Sequence, residues 1–184
     1  VSVHVVREPG GTPTGELIRN ILQHNEAGEP LCAESEVLLF AASRAQLVRT
    51  AILPALKRGE WVISDRFADS TTAYQGYGRG FDVEEMIRIN EFAIGPAVPD
   101  RTYLLDVDTA TGFDRLARRH LALGETADRI ESEARAFHER VRAGYLELAA
   151  RWPARFRLLD ASAPPDQVQA AIRSDLRDLP GGVA

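Results

Sequence analysis

The fold class is decided by the stretch Trp61-Val62-Ile63-Ser64-Asp65-Arg66-Phe67, in which a short apolar run ends at a charged pair. An apolar run of this length predicts a buried strand, of the kind found in parallel sheets that are covered on both faces. An aspartate and an arginine directly after such a strand have no packing role. We therefore expect a functional site at the carboxyl end of this strand.

Similar apolar runs alternate with helical patterns along the rest of the chain. Strands are predicted at residues 1–6, 102–107 and 155–159, and helices at residues 15–25, 33–56, 82–94, 109–120, 130–151 and 165–179. This alternation predicts an α/β fold, with right-handed crossovers and a parallel sheet covered by helices on both faces. No repeat or linker interrupts residues 1–184, so we expect a single domain. The strand ends at residues 7–11, 65–67 and 106–108 should meet at one crevice.

The composition argues against several classes of protein. The formal net charge of −5 argues against a general nucleic-acid-binding surface, because phosphate backbones select basic faces. The apolar runs are far shorter than the roughly 20 residues of a membrane span, so we expect a cytoplasmic protein with no membrane partner. The single cysteine, Cys32, and the four histidines show no metal-ligand spacing.

The segment that begins at Ile63 reads Ile63-Ser64-Asp65-Arg66-Phe67-Ala68-Asp69-Ser70-Thr71-Thr72-Ala73-Tyr74-Gln75, and it resembles the signature segment of thymidylate kinases. Residues 7–12, 38–46, 74–80 and 128–131 resemble further motifs of the bacterial members, in the family's order. The resemblance implies a fold like that of the P-loop nucleoside monophosphate kinases. It also implies phosphorylation of dTMP to dTDP in dTTP synthesis, with ATP as co-substrate and Mg²⁺ as cofactor. A homodimer, formed through the helix at residues 33–56, is implied as well.

Arg66 and Asp65 are the first candidate site residues. The planar fork of an arginine suits a bidentate grip on phosphate, and the resemblance gives Arg66 that role on dTMP and in catalysis. A structural ion pair is the alternative for Arg66. Asp65 is a candidate metal-proximal carboxylate, because Mg²⁺ on nucleotide phosphates is usually held by one or two carboxylates. An aspartate at a strand end can equally cap the next turn.

The remaining substrate-binding candidates come from the resembling motifs. Phe40 and Arg44 are four residues apart and share one helical face, so a ring and a guanidinium can address the same planar ligand. The resemblance stacks Phe40 on thymine and directs Arg44 to a base carbonyl, whereas an ordinary core aromatic is the alternative for Phe40. The resemblance also places Thr71, Tyr74 and Gln75 near the base and the deoxyribose, although Tyr74 can instead pack within its helix. It adds two residues that follow the first strand, Glu8 and Pro9.

A lid is expected at about residues 115–129. The resemblance assigns at least one of Arg115, Arg118 and Arg119 to the transferred phosphates, because phosphoryl transfer is catalysed largely by cations placed around the spreading negative charge. A solvated helix face accounts for the others. Arg129 is expected to pair with Asp128 or Glu131.

One motif of ATP-dependent kinases does not occur in residues 1–184. No G-x-x-x-x-G-K-[ST] segment is present, and the one lysine, Lys57, lacks the preceding glycines. We therefore expect the chain to lack the first strand and P-loop of the family, and to be inactive without them. The alternatives are a kinase for another nucleotide or nucleoside, and an inactive dTMP-binding module.

Overall fold

Strands and helices alternate along the part of the chain that the computed structural model describes, which is residues 1–24, 28–124, 126–177 and 179. The strands are β1 (Val3–Arg7), β2 (Trp61–Asp65), β3 (Thr102–Asp106) and β4 (Phe156–Asp160). The α-helices are α1 (Pro13–Gln23), α2 (Ala33–Leu47), α3 (Leu53–Lys57), α4 (Ala68–Thr71), α5 (Val83–Ile94), α6 (Thr109–Leu123), α7 (Arg135–Arg151) and α8 (Pro165–Arg177). Two π-helices follow α2 and α4, at Val48–Ile52 and Thr72–Gly78. The chain divides into two compact units, Val1–Val98 with Ala127–Tyr145, and Pro99–Thr126 with Leu146–Ala184.

In the first unit, β1 and β2 pair in parallel and end at the same level. Val3 lies opposite Trp61 and Arg7 lies opposite Asp65, and the Glu8 amide extends the ladder by donating to the Asp65 carbonyl at 3.0 Å. Val6, on the buried side of this pair, packs in a core cluster with Leu47, Val48, Ile52 and Ala97. The register therefore brings the segments after both strands together, as the sequence predicted.

The long predicted helix at residues 33–56 is one helical run that changes its winding. α2 leads into the first π-helix and then into α3, which contains Pro54. A proline inside a helix removes one hydrogen-bond donor and crowds the carbonyl four residues earlier, which here belongs to Thr50 within the π-helix. The wider π turn accommodates the proline. By length and composition alone the run Ala33–Lys57 could cross a membrane, a property that it shares with core helices of other folds.

The second π-helix contains Gly76 and Gly78, at positions where the sequence predicted no helix. Helix α7 approaches it closely, because a Cβ atom on Gly78 would lie 2.7 Å from Phe137, and one on Gly144 would lie 2.4 Å from Tyr77. Arg140 fixes this contact by donating to the Gly78 carbonyl at 2.7 Å. Gly78 and Gly144 are thus required for the close packing of the π-helix against α7.

In the second unit, β3 and β4 also pair in parallel, from Thr102 opposite Phe156 to Asp106 opposite Asp160. Helix α8 is tied to this pair by Asp175, which accepts from the Tyr103 hydroxyl and pairs with Arg101 and Arg157. Helix α6 is capped at its start by Asp108, whose carboxylate accepts from the Thr111 amide, and at its end by Gly124 in a left-handed conformation. The convergence of residues 106–108 with the other strand ends stays a prediction, as does the single domain.

The α/β class and the parallel pairing are confirmed. The prediction of a sheet covered on both faces does not hold for the β1–β2 pair. Val5 is 71% exposed and Ile63 51% exposed, whereas Val6 is buried. Successive side chains of a strand point to opposite faces, and the described residues bury only the face of Val6. The prediction overestimated the burial of these strands, because an apolar run without polar alternation does not show that only one face of the strand is covered.

Several predicted helix bounds also shift. The helix predicted from Ile130 begins at Arg135, because residues 128–132 form a turn closed by the Asp128 carboxylate, which accepts from the Ile130 and Glu131 amides at 2.8 Å. The predicted end of the first helix at Asn25 lies outside the described residues. Glu125, in the predicted lid, lies outside them too.

Replacement of Gly144 tests the close packing of α7. Alanine normally stabilises a helix over glycine by about 1 kcal/mol. We expect Gly144→Ala instead to destabilise the protein by about 1–3 kcal/mol, because the new methyl group overlaps Tyr77. Gly112→Ala in α6 is the control, since its nearest non-local atom is 3.9 Å away and it should be neutral or stabilising. Chemical denaturation measures both, and a stabilising Gly144→Ala would contradict the packing.

Candidate functional site

The loop after β1 is held in one conformation by side chains of α1 and α2. Glu16 accepts from the Gly11 amide at 2.8 Å and from the Arg7 guanidinium at 2.9 Å. Arg19 donates to the Pro9 carbonyl at 2.9 Å, and the Gly10 amide donates to the Ser43 hydroxyl at 3.2 Å. This loop carries the predicted residues Glu8 and Pro9. It is therefore anchored at both ends before any ligand binds.

Arg44 is the centre of the site, and it is only 1% exposed. Its Nε and Nη2 atoms lie 2.8 Å from Glu8 Oε2, Nη2 donates to Thr71 Oγ1 at 2.9 Å, and Nη1 donates to Asn90 Oδ1 at 2.7 Å. The guanidinium also lies over the Phe67 ring, 5.9 Å from its centroid. Three of the predicted residues, Glu8, Arg44 and Thr71, thus meet in one buried cluster.

The Glu8 carboxylate is left incompletely paired in this cluster. Burial raises the pKa of Glu8, and the attraction of Arg44 lowers it by less. Glu8 Oε1 is buried and has no hydrogen-bond partner among the described residues. A buried polar atom without a partner costs roughly 1–3 kcal/mol. A ligand that donates a hydrogen bond to Oε1 would remove that cost.

Asn90 is a site residue that the sequence analysis missed. Its amide nitrogen donates to the Ala68 carbonyl and to the Thr72 hydroxyl, both at 3.0 Å, while its oxygen accepts from Arg44. Asn90 therefore joins α5 to α4 and to the guanidinium. The available signal was an asparagine among the apolar positions of a helix, where burial requires hydrogen-bond partners.

Arg66 has an unusual backbone conformation. Its φ angle of 66° makes it the one described non-glycine residue in the left-handed region, and the Ser64 hydroxyl donates to its carbonyl at 2.6 Å. Residues held in this region cost about 1–3 kcal/mol and cluster at functional sites. The conformation places the guanidinium over the Tyr74 ring, 5.2 Å from its centroid.

Tyr74 is in turn held by aromatic side chains of α7. Its ring makes edge-to-face contacts with Phe137 at 6.0 Å and with Tyr145 at 6.3 Å. The Tyr145 hydroxyl donates to Ser70 at 2.7 Å, and burial raises the pKa of Tyr145 to about 12. Tyr145 therefore stays a neutral donor at ordinary pH. Arg66 and Tyr74 form the second group of predicted residues that the structure brings together.

The other predicted residues lie as follows. Phe40 is half-buried one turn before Arg44 on α2, and Gln75 is buried with its amide nitrogen 2.8 Å from Glu36. Asp65 is exposed at the end of β2, and no group of three potential metal ligands occurs among the residues described.

Arg129 was expected to pair with Asp128 or Glu131, but it pairs with Glu36 at 2.5 Å. Local charge pairing was a poor guide, because the Asp128 carboxylate is occupied by backbone amides.

The arginines of the predicted lid lie on α6 in the second unit. Arg115, Arg118 and Arg119 are exposed. Arg115 donates to the Ala161 carbonyl at 2.8 Å and so anchors α6 to the turn after β4. Their contact with phosphates stays a prediction.

These observations define an α/β protein whose first unit contains a buried charged cluster and an exposed arginine at a strand end, an arrangement suited to a small anionic ligand. Comparison with known proteins identifies the family. The sequence model of the thymidylate kinase family matches residues 1–172. The chain belongs to the thymidylate kinase family.

Individual relatives agree with this assignment. The chain is 53% identical over 156 residues to a thymidylate kinase of Pelotomaculum thermopropionicum, covering 85% of this chain and 70% of the relative. It is 47% identical over 172 residues to that of Deinococcus radiodurans, covering 93% and 80%. The crystal structure of a thymidylate kinase from Ehrlichia chaffeensis superposes with a TM-score of 0.72 at 32% identity, covering 95% of this chain and 80% of that one. The absence of the first strand and P-loop stays a prediction.

The buried cluster makes a prediction about stability. Arg44→Ala leaves the Glu8 carboxylate buried without its cation, so we expect a loss of about 3–5 kcal/mol in the free energy of unfolding. Arg7→Ala, which breaks the exposed pair with Glu16, is the matched control and should cost at most about 1 kcal/mol. Urea titration compares the two variants. Equal losses would mean that burial of the Glu8–Arg44 pair is unimportant.

Proposed function

We propose that the chain supplies the dTMP-binding site of an enzyme that phosphorylates dTMP to dTDP with ATP as phosphate donor, and that this site lies in the first unit. The observations that carry this proposal are the buried Glu8–Arg44–Thr71 cluster and the guanidinium of Arg66 over Tyr74, in a chain whose relatives are named thymidylate kinases. The cluster offers directed donors and acceptors for a base and a sugar. Arg66 offers a fork for a phosphate.

The base is held by groups that the cluster leaves available. One N–H of the Arg44 Nη1 group remains after its contacts with the described residues, and we assign it to a thymine carbonyl. Phe40, one turn earlier on α2, stacks on the ring. Thr71 borders the edge of the base. Because Arg44 is already fixed by three neighbours, little side-chain entropy is lost when the base binds.

The phosphate and sugar are held on the other side of this pocket. Arg66 binds the dTMP phosphate through two parallel hydrogen bonds, and its left-handed backbone fixes the direction of the fork. Tyr74, with Phe137 and Tyr145 behind it, is too constrained to move away from a ribose 2′-hydroxyl. The site therefore favours a deoxyribonucleotide. Glu8, Pro9 and Gln75 complete the contacts.

In the transfer step, an oxygen of the dTMP phosphate attacks the γ-phosphorus of ATP in line. A new P–O bond forms, the bond from the γ-phosphorus to the bridging oxygen breaks, and ADP leaves with that electron pair. Arg66 orients the attacking phosphate, and Arg115, Arg118 or Arg119 offsets the charge on the transferred group. Asp65, an exposed carboxylate at the end of β2, is suited to Mg²⁺, which when bound would also offset that charge.

One observation favours a second candidate function, the binding of dTMP without its phosphorylation. No P-loop motif occurs in residues 1–184, and Lys57 lies at the end of α3, before a strand instead of after one. For these residues alone we therefore propose dTMP binding without phosphoryl transfer.

We also propose a cytoplasmic homodimer formed through the helical run of α2 and α3, in which the exposed Leu38 offers apolar contact area.

The test separates binding from turnover. By calorimetry we expect residues 1–184 to bind dTMP at least about tenfold more tightly than UMP or dCMP. In a coupled assay with ATP and Mg²⁺ we expect no dTMP-dependent ADP release from these residues. Release should appear once a strand–P-loop–helix unit of roughly 20–30 residues is fused before Val1. Tighter binding of another nucleotide would refute the substrate, and robust turnover by residues 1–184 alone would refute the P-loop mechanism.

Two replacements of Arg66 separate its backbone from its side chain. Arg66→Gly should stabilise the fold by about 1 kcal/mol, because glycine adopts the left-handed conformation without strain, yet it should abolish tight dTMP binding. Arg66→Lys keeps the charge but loses the fork, and should weaken dTMP binding about tenfold or more. Thermal unfolding and calorimetry measure the two effects. Wild-type dTMP affinity in Arg66→Lys would show that Arg66 does not bind phosphate bidentately.

A further inference from the structure

A second buried charge cluster lies outside the residues assigned to dTMP, and its centre is Glu36 on α2. Glu36 is 1% exposed and binds three side chains at once. Arg79 reaches both of its carboxylate oxygens at 2.9 and 3.0 Å, Arg129 reaches Oε2 at 2.5 Å, and the Gln75 amide nitrogen donates to Oε1 at 2.8 Å. A carboxylate with this many donors is fixed in every direction.

The charges of this cluster balance. Arg79 also pairs with Glu133 at 2.7 Å, so two guanidiniums face two carboxylates. Burial favours the neutral form of Glu36, but the hydrogen bonds from Arg79, Gln75 and Arg129 outweigh it and lower the pKa of Glu36. Glu36 therefore stays ionised at neutral pH. As an ionised carboxylate it can only accept hydrogen bonds.

The partners of Glu36 belong to two separate segments of the first unit. Gln75 and Arg79 lie in or directly after the second π-helix, which also carries Tyr74. Arg129 lies in the turn closed by Asp128 and donates to the Leu22 carbonyl at the end of α1 at 3.0 Å. Glu36 is thus the point at which α2, the π-helix and this turn are joined.

The acceptor-only chemistry of Glu36 decides how Gln75 is oriented. The amide nitrogen must face the carboxylate, so the carbonyl oxygen, which lies in the same plane, is directed away from the carboxylate. We propose that Glu36 is a positioning residue for dTMP, which acts by orienting the Gln75 amide and by fixing the π-helix that carries Tyr74. This inference rests on the proposed function, because Gln75 and Tyr74 are assigned to dTMP there.

The test compares two carboxylates that both bind Arg79. Glu36→Gln removes the requirement that Gln75 present its donor, because a glutamine at this position can turn either its carbonyl oxygen or its amide nitrogen toward Gln75. Glu133→Gln is the matched control, since Glu133 pairs with Arg79 but makes no contact with Gln75. Calorimetry with dTMP on residues 1–184 should show an affinity loss of about tenfold or more for Glu36→Gln, and less than about twofold for Glu133→Gln. Thermal unfolding of each variant gives the folded fraction used in the comparison.

Two further variants keep the outcome independent of general stability. Glu36→Asp keeps the charge but cannot keep all three contacts, so it should lose dTMP affinity while the protein stays folded at the assay temperature. In a Gln75→Ala background, Glu36→Gln should cost less additional affinity than it does alone, because the two residues act through one contact.

The outcomes separate the inference from the proposed function. No dTMP binding by the unaltered chain would overturn both. Binding by the unaltered chain with unchanged affinity in folded Glu36→Gln or Glu36→Asp would overturn the positioning role alone. Fully additive losses in the double variant would show that Glu36 does not act through Gln75, and would also overturn it.

Discussion

The burial of one guanidinium constrains most of the first unit. Arg44 is almost inaccessible to water, and each of its nitrogen atoms must be compensated by protein, since an unpaired buried charge costs several kcal/mol. Glu8 after β1, Thr71 in α4 and Asn90 in α5 supply the partners. Three segments are thereby fixed around one side chain of α2. This cluster is thus formed by the protein alone, and the cost of burying it is part of the folding energy.

The same unit carries local strain where we place the phosphate. Arg66 is held in a left-handed conformation that glycine would adopt more easily, and its guanidinium lies over Tyr74. Tyr74 is held by Phe137 and Tyr145, and the glycines at 78 and 144 allow α7 to approach closely enough for this. The aromatic contacts that hold the Tyr74 ring therefore also fix the ring that Arg66 lies over. This arrangement lowers the stability of the protein but fixes the direction of the Arg66 side chain, a trade-off that is common at functional sites.

The sequence predicted the features that depend on neighbouring residues, and it missed those that depend on distant ones. The charged pair at Asp65 and Arg66 and the parallel strand pairing follow from local patterns. The π-helix at residues 72–78 does not, because it depends on contacts with α7 about sixty residues later. The partners of Arg44 and Arg129 were missed for the same reason, since Asn90 and Glu36 lie far away in the chain. Exposure of Val5 was missed because an apolar run does not show which face of a strand is covered.

In the proposed complex, dTMP binds against side chains already fixed by the Glu8–Arg44 pair, with its phosphate on Arg66. A crystal structure of the chain with dTMP tests this most directly. We expect the phosphate on the Arg66 guanidinium, a thymine carbonyl on Arg44, and a Glu8–Arg44 distance that stays near 2.8 Å. A complex in which Arg44 leaves Glu8 to reach the base, or in which the phosphate is bound away from Arg66, would contradict it.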